Sequence, residues 1–472
     1  MERIKTDVLV IGAGSGGLSV AAGAVQMGAR VVLLEGGEMG GDCLNYGCVP
    51  SKALLAAAKM AHMHTRTQAF GITTSKPQVD YAGVMAHVAE TIATIAPVDS
   101  QERFKGLGVR VIRAWGKFIS PQEVQAGDHV ITARRIVIAT GSSPAVPPIP
   151  GLDTVPYLTN ETLWSLRQAP DHLLIVGGGP VGVEMAQAHV RLGCRVTVIE
   201  GARLLGKDDP ELTATLRARL TDEGVTLVEG AAVAALRPVG ERIELRTEND
   251  EVYTGSHLLL ATGRRANTDK LDLKAAGIET SDTGIRTDAG LRTSNRRVYA
   301  IGDVAGGLQF THVAGYHAGV ILRTLLFGLP SKAATQHIPR VTYTDPELAQ
   351  VGLTETEARW QYGARLEVAE FDFAENDRAV AERVTTGRVK VMVAGGRPVG
   401  VSILGSGAGD LVALWALVLA NRLKMRQVTA MVAPYPTMAE VNKRAAGAYF
   451  SPRLFESRMV KRAVGLVQRW LP

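Results

Sequence analysis

The sequence predicts an α/β chain holding two Rossmann-like βαβ units, with a third segment of mixed strands and helices at its C-terminal end. Three observations lead there. The run DVLVIGAGSGG over residues 7–17 and the run LLIVGGGPVG over residues 173–182 are both apolar stretches that end in a glycine turn. Each leads to a helix-length stretch and then to a second apolar run ending in an acid, Glu35 in the first copy and Glu200 in the second. Finally, 472 residues are too many for one ordinary core, and about 100–200 residues per domain suggests roughly three.

Each element has a physical reason. In both copies the acid follows the first glycine by 23 positions, Gly12 to Glu35 and Gly177 to Glu200, close to the interval of a dinucleotide-binding fingerprint. The first glycines (Gly12, Gly177) make the tight turn. The second (Gly14, Gly179) let backbone approach a pyrophosphate, and the third (Gly17, Gly182) let helix pack on strand. The helix N-terminus then receives phosphate, and the acid accepts from ribose hydroxyls. Each unit is followed by an apolar strand closing in an Ala-Thr-Gly turn, at Thr140–Gly141 and Thr262–Gly263. The stretch PAVPPIPG over residues 144–151 is stiff and poor in backbone donors, so it reads as a linker. The predicted domains are therefore 1–150, rejoined by 272–340; then 151–271; then 341–472, which opens with YTDPEL at residues 343–348.

Composition excludes several classes. A net charge of +6 spread over 472 residues is a weak field with no basic stripe, so no nucleic-acid partner is expected. Three cysteines cannot build an extracellular disulfide framework. Cys194, at a strand entrance, reads as packing. The first residues run straight into a strand without a signal core, and the most apolar run, residues 411–420, is too short to cross a bilayer and reads as a buried or interface helix. A cytoplasmic protein is expected. His62 and His64 show no zinc-ligand spacing toward the cysteines, and His312 and His317 read as packing residues, so no resident metal is predicted.

The most informative run is GGDCLNYGCVPSK at residues 40–52. Residues five apart on a straight helix are separated by about 7.5 Å of rise, so bringing Cys43 and Cys48 within disulfide range would need a local bend. Gly47 permits one, and Pro50 suits a first helical turn. Cys48 then sits at a helix start, where unpaired N–H groups favour a thiolate.

This run resembles the active-site motif of the flavoprotein disulfide reductases, which include dihydrolipoamide dehydrogenase, glutathione reductase and mercuric reductase, and the resemblance covers nearly the whole chain. It implies that Cys43 and Cys48 form a redox disulfide beside FAD, with Cys48 against the flavin and Cys43 attacking substrate. It implies that Lys52 lies near the reactive flavin nitrogen with Glu184 as its ion-pair partner. The run TSNRRVYAIGD at residues 293–303 resembles the family's second flavin motif, which would make Asp303 the residue on the ribityl chain. On this reading the first domain takes FAD, the second takes NAD(P)H, and the third is a dimerisation domain making a homodimer. Glu200 favours NADH, since a 2′-phosphate would meet a like charge. Arg195 and Arg203 leave NADPH open.

One position departs from the lipoamide and glutathione reductases. They carry a His-Pro-Thr run followed by a glutamate, whereas this chain has PYPTMAE over residues 434–440, so Tyr435 takes the place of the acid–base histidine ahead of Glu440. A phenol, ordinarily near pKa 10, is a poor base at neutral pH. Mercuric reductases share the tyrosine, but typically add a C-terminal cysteine pair, and here no cysteine follows Cys194. The preferred expectation is an NADH-dependent, mercuric-reductase-like enzyme passing electrons to a thiophilic metal ion, a disulfide or another small oxidant. The alternatives are a dihydrolipoamide dehydrogenase with a different proton shuttle and a flavin redox sensor that does not turn over. In the tail, apolar Leu454, Phe455, Met459, Val460, Val464, Val467 and Leu471 recur at helical spacing beside Arg458, Lys461, Arg462 and Arg469. Such a helix suits either a dimer contact or peripheral attachment at the inner membrane face.

Overall fold

A computed structural model describes residues 1–471, which divide into two compact units. The first comprises Met1–Gly178, Ala188–Gly201 and Thr226–Ala334; the second comprises Gly179–Gln187, Ala202–Val225 and the chain from Thr335 onward.

In the first unit, the strand Glu2–Ile11 lies parallel to both Val31–Leu34 and His129–Ile138. Its side chains alternate between two cores: Leu9 and Ile11 join one, Val8 and Val10 the other. A strand buried on both faces reads as an unbroken apolar run, which is why this segment shows no polar alternation. The register pairs Ile11 with Leu34 and with Ile138, so three strands end together and Gly12 leaves at that shared edge. Val298–Ala300 adds parallel to His129–Ile138, with Ala300 opposite Ile138, and therefore brings Gly302 and Asp303 to the same edge from far along the chain.

A second, four-stranded sheet of this unit runs Val225–Glu229, Arg195–Glu200, His172–Val176, His257–Leu260. It repeats the arrangement, with the Gly177 N–H donating to the Ile199 carbonyl. The two Ala-Thr-Gly turns are fastened together. Ser142–Pro144 pairs antiparallel with Arg264–Ala266, Ala145 N–H donates to Gly263 O at 2.9 Å, and Asn267 N–H donates to Gly141 O at 3.0 Å. The proline-rich stretch is thus an edge ribbon at its start rather than a bare linker, which the missing proline N–H tolerates at an edge.

The second unit is an antiparallel five-stranded sheet in the order Arg340–Thr342, Glu347–Gly352, Arg397–Gly405, Arg388–Ala394, Leu366–Asp372. Helices Ala408–Ala420 and Glu440–Ser451 share its core through Trp415 and Val441. Trp415 is fully buried, and its indole N–H donates to Asn442 Oδ1 at 2.8 Å. The apolar run foreseen as a buried or interface helix is this one, with Leu411, Val412, Trp415 and Val418 buried and Leu417 exposed.

One charged cluster stands inside this unit. Lys390, only 3% exposed, meets Asp209, Glu211 and Glu355 at 3.1, 3.0 and 2.6 Å. Burial works against the Lys390 charge, but the three carboxylates overcome it and raise its pKa. Burial likewise opposes the Glu355 charge, yet hydrogen bonds from Lys390 and Arg359 hold its carboxyl below the usual range. A carboxyl lowered in the folded state contributes stability above its unfolded pKa, and that contribution disappears as pH falls through the lowered folded value. Lys390→Met, which strands the buried Asp209 carboxylate, should destabilise the protein by about 3–5 kcal/mol at neutral pH. Urea unfolding followed down the pH scale should show the gap to wild type narrowing once Glu355 protonates; a gap independent of pH would contradict this account.

Candidate active site

The first glycine turn is built by close approach. Gly12 has φ +106°, and a β-carbon there would lie 2.4 Å from the Ala139 carbonyl oxygen; one on Gly17 would lie 1.9 Å from the Gly12 oxygen. Both positions require glycine. Gly14 differs, since a β-carbon there would meet nothing nearer than Gly41 Cα at 4.0 Å. In the second copy Gly177, at φ +112°, sits 2.4 Å by the same measure from the Ala261 oxygen, whereas Gly179 faces open space. The first and third glycines of the first turn thus serve packing, and the middle glycine of each turn leaves a bare backbone cradle, which is what a pyrophosphate needs.

The acids complete those turns. Glu35 accepts from Ala13 N–H at 2.6 Å and from Gly37 N–H at 2.7 Å, and Glu200 accepts from Gly178 N–H at 2.6 Å. Gly182 lies in the helix Pro180–Arg191 that follows the second turn. Asp303, beside the first turn, accepts from Ser142 Oγ at 2.5 Å, and burial pushes its carboxyl up. Thr140 Oγ1 donates to Asn267 O at 2.7 Å. Two open glycine cradles with carboxylates at ribose distance along the chain form a donor and acceptor set that fits two dinucleotides.

The dithiol run docks onto the first of these turns. Gly40 and Gly41 have φ of +85° and +63°. Gly40 N–H donates to Ala13 O at 2.9 Å, and Gly40 bridges Gly14. A β-carbon on Gly41 would stand 2.8 Å from Gly14 Cα. Cys43 lies in the short helix Gly41–Asn45, and Cys48 opens the helix Cys48–His62. Between them Gly47 makes the bend: a side chain there would press on Asp42 Oδ2 at 2.9 Å and Asp42 O at 3.1 Å.

The thiols are in contact. A hydrogen bond with Cys48, then burial, pushes the Cys43 thiol far above its usual range, while a hydrogen bond from Thr311 acts the other way. Thr311 Oγ1 lies 3.5 Å from Cys48 Sγ and starts the helix Thr311–Phe327. Cys48, by contrast, is exposed and occupies the first turn of its helix.

Polar groups that the sequence did not single out fix this run. Arg264 meets Asp42 at 3.1 Å and Asp303 at 3.8 Å, and donates to Ser142 Oγ at 2.7 Å. Asn160 donates to Asp42 Oδ1 at 3.0 Å, and Trp164 Nε1 donates to Tyr46 O at 2.9 Å. Arg264 directly follows Gly263, so its place beside a motif turn was the one available signal.

Lys52 lies four residues beyond Cys48 on the same helix face, its Nζ 3.4 Å from Ser51 Oγ. In the second unit, buried Glu184 accepts from Tyr343 N–H at 2.9 Å. Tyr435, also there, is exposed and donates its hydroxyl to Asp377 Oδ2 at 2.9 Å; that bond raises the phenol pKa further. Glu440 begins the helix Glu440–Ser451 and accepts from Thr437 N–H at 3.5 Å. Cys194 is buried, its thiol pushed up to about 11 by that burial. His317 is buried as well and accepts from Gly302 N–H at 3.2 Å, bracing the turn that carries Asp303.

Known proteins share this arrangement. The model of the pyridine nucleotide-disulphide oxidoreductases matches residues 6–318, and the model of their dimerisation domain matches residues 338–446, which supports a homodimer. A mercuric reductase of Lysinibacillus sphaericus is 36% identical over 93% of this chain and 82% of its own length. A dihydrolipoyl dehydrogenase of Bacillus subtilis is 31% identical over 91% of this chain and 96% of its own. The Cu(II) complex of the HOCl-induced flavoprotein disulfide reductase RclA from Escherichia coli superposes with a TM-score of 0.83 at 27% identity, over 93% of this chain and 99% of that one. Gly17→Ala, which forces a methyl group into the Gly12 carbonyl, should yield protein lacking flavin absorbance when purified. Flavin retained at the wild-type ratio would show that the turn can yield.

Proposed function

We propose, from the premise that the chain belongs to the pyridine nucleotide-disulphide oxidoreductase family, that it oxidises NADH and reduces a thiophilic metal ion or another small oxidant at Cys43 and Cys48. Members of this family bind FAD and NAD(P)H, and the chain is an oxidoreductase of that kind. FAD, when bound, supplies two-electron exchange between the nicotinamide and the sulfur pair. We assign its binding to Gly12, Gly14, Gly17, Glu35, Lys52, Thr140, Gly141 and Asp303 within residues 1–150 and 272–340. Gly177, Gly179, Gly182, Glu200 and Gly263, within residues 151–271, are assigned to the nicotinamide nucleotide, and residues 341–472 to the dimer. The Glu200 carboxylate favours NADH over NADPH by like-charge repulsion of a 2′-phosphate.

The observation that carries the choice of acceptor is Tyr435. Oxidising two thiols to a disulfide releases two electrons and two protons. A dithiol or disulfide substrate needs a base to move those protons between sulfurs, and a phenol whose hydroxyl is donated to Asp377 with a raised pKa does not serve. A mercuric ion accepts both electrons, and Cu(II) accepts one each, so two ions close the balance. Neither needs a proton delivered to it. The likeness to mercuric reductases and to a copper-binding reductase supports the same direction. In the family's dimer this tyrosine would reach the site from the neighbouring subunit. Cys43 is the sulfur proposed to meet the acceptor, Cys48 the one against the flavin, with Lys52 and Glu184 holding charge near the ring.

Anaerobic NADH titration followed by an acceptor screen tests this. Turnover with Hg(II) or Cu(II) should exceed turnover with lipoamide or glutathione disulfide; the reverse order would indicate a dihydrolipoamide dehydrogenase, and one reduction without turnover a sensor. Tyr435→His should raise lipoamide reduction by about a hundredfold, the lower range of general acid–base catalysis. Cys48→Ser should lose the long-wavelength thiolate-to-flavin absorbance, and Cys43→Ser should keep it.

A further inference from the structure

The helix Arg458–Trp470 begins at Ser457, whose Oγ accepts from Val460 N–H at 3.3 Å, and it buries no residue. At about 100° per residue, Met459, Val460, Val464, Leu466, Val467 and Trp470 fall on one side. The opposite side carries Arg458, Lys461, Arg462 and Arg469 with Gln468 and Gly465, and no Asp or Glu occurs from residue 457 to 471. The apolar side is open to water: Met459 is 79% exposed and Trp470 82%. Just upstream, Leu454 and Phe455 are exposed too. This helix lies beyond residue 446, where the match to the dimerisation domain ends.

We infer that this helix is an interfacial anchor for an anionic lipid surface. A solvent-exposed apolar stripe of this size is unfavourable unless something covers it. A protein groove would use only the apolar side and leave the opposite charges without a role. A bilayer uses both, because the apolar side sinks to the acyl boundary while long basic side chains reach anionic headgroups. Trp470 stands within the apolar arc and suits the headgroup level, where indole rings concentrate. The helix lies on the surface and does not cross it: 13 residues span about 20 Å, and among the described residues no helix is long and apolar enough to traverse a bilayer.

The test uses full-length, flavin-loaded protein sedimented with vesicles of phosphatidylcholine alone or mixed equally with phosphatidylglycerol. The protein should pellet with the mixed vesicles at low salt, stay in solution with phosphatidylcholine, and be released by high salt as surface charges are screened. Each basic residue removed should weaken binding about fivefold, so Lys461→Gln with Arg462→Gln should cost about twenty-five-fold. Val464→Glu with Val467→Glu should abolish pelleting while leaving flavin content and the light-scattering mass unchanged. Two results would overturn the inference: no preference for anionic vesicles, or a change of mass in the Val464→Glu, Val467→Glu protein, which would make the apolar side a contact between copies of this chain.

Discussion

The backbone contact between Ala13–Gly14 and Gly40–Gly41 is the constraint on which the candidate site depends. It holds two thiols against the first glycine turn with main-chain atoms alone, through the Gly40 N–H to Ala13 O bond and the close passage of Gly41 over Gly14. Any side chain at Gly41 would push the two segments apart. Because the turn is itself pinned by Gly12 against Ala139 and by Gly17 against Gly12, a displacement at either sulfur would have to be carried into the strand edge of the first sheet. The dithiol run is therefore tied to the sheet edge through main-chain contacts.

Charge pairing fixes the same run from its other side. Asp42, the residue before Cys43, shares Arg264 with Asp303, while Ser142 bonds both Arg264 and Asp303. Three distant stretches of sequence thus meet around one largely buried guanidinium. A half-satisfied cluster of this sort costs more than an apolar one, so the arrangement holds only when the dithiol run, the Ala-Thr-Gly ribbon and the Gly302 turn are all in place. Asn160 and Trp164 then satisfy Asp42 and the Tyr46 carbonyl at the bend. The second Ala-Thr-Gly turn, read from sequence as the close of a separate unit, reaches Asp42 in the dithiol run through Arg264.

What was legible in the sequence followed local rules. Glycine spacing and unbroken apolar runs located both βαβ units, because a strand buried on two faces must be apolar throughout. The dithiol bend was legible from Gly47 and the helix start from Pro50. Arg264, Asn160, Trp164 and Thr311 were not, since each enters through tertiary contact and none stands in a spacing that local chemistry requires. The stretch after Ser142 read as a stiff linker because prolines dominate it; its first residues pair as an edge ribbon, where prolines are permitted. In the tail, apolar residues recur at helical spacing from Leu454, but the regular helix starts at Arg458 behind a Ser457 cap, preceded by a wide turn over Pro452–Glu456. Apolar spacing alone does not mark a boundary that a capping hydroxyl sets.

The proposed choice of acceptor rests on how Cys43 and Tyr435 each hold a proton. Cys43 holds its proton tightly, by its bond with Cys48 and by burial. On the proposed reading, an acceptor that exchanges sulfur for sulfur needs a base to remove that proton, and the tyrosine in the place of the family's acid–base histidine already donates its hydroxyl to Asp377. A soft cation removes the difficulty from the other direction. Binding to sulfur lowers the thiol pKa and expels the proton to water without a protein base. In the proposed reaction, a Cys43 that holds its proton and a Tyr435 whose hydroxyl is committed to Asp377 both disfavour dithiol exchange without hindering a metal-ion acceptor, and it is this asymmetry, more than overall likeness, that separates the proposed chemistry from that of a lipoamide enzyme.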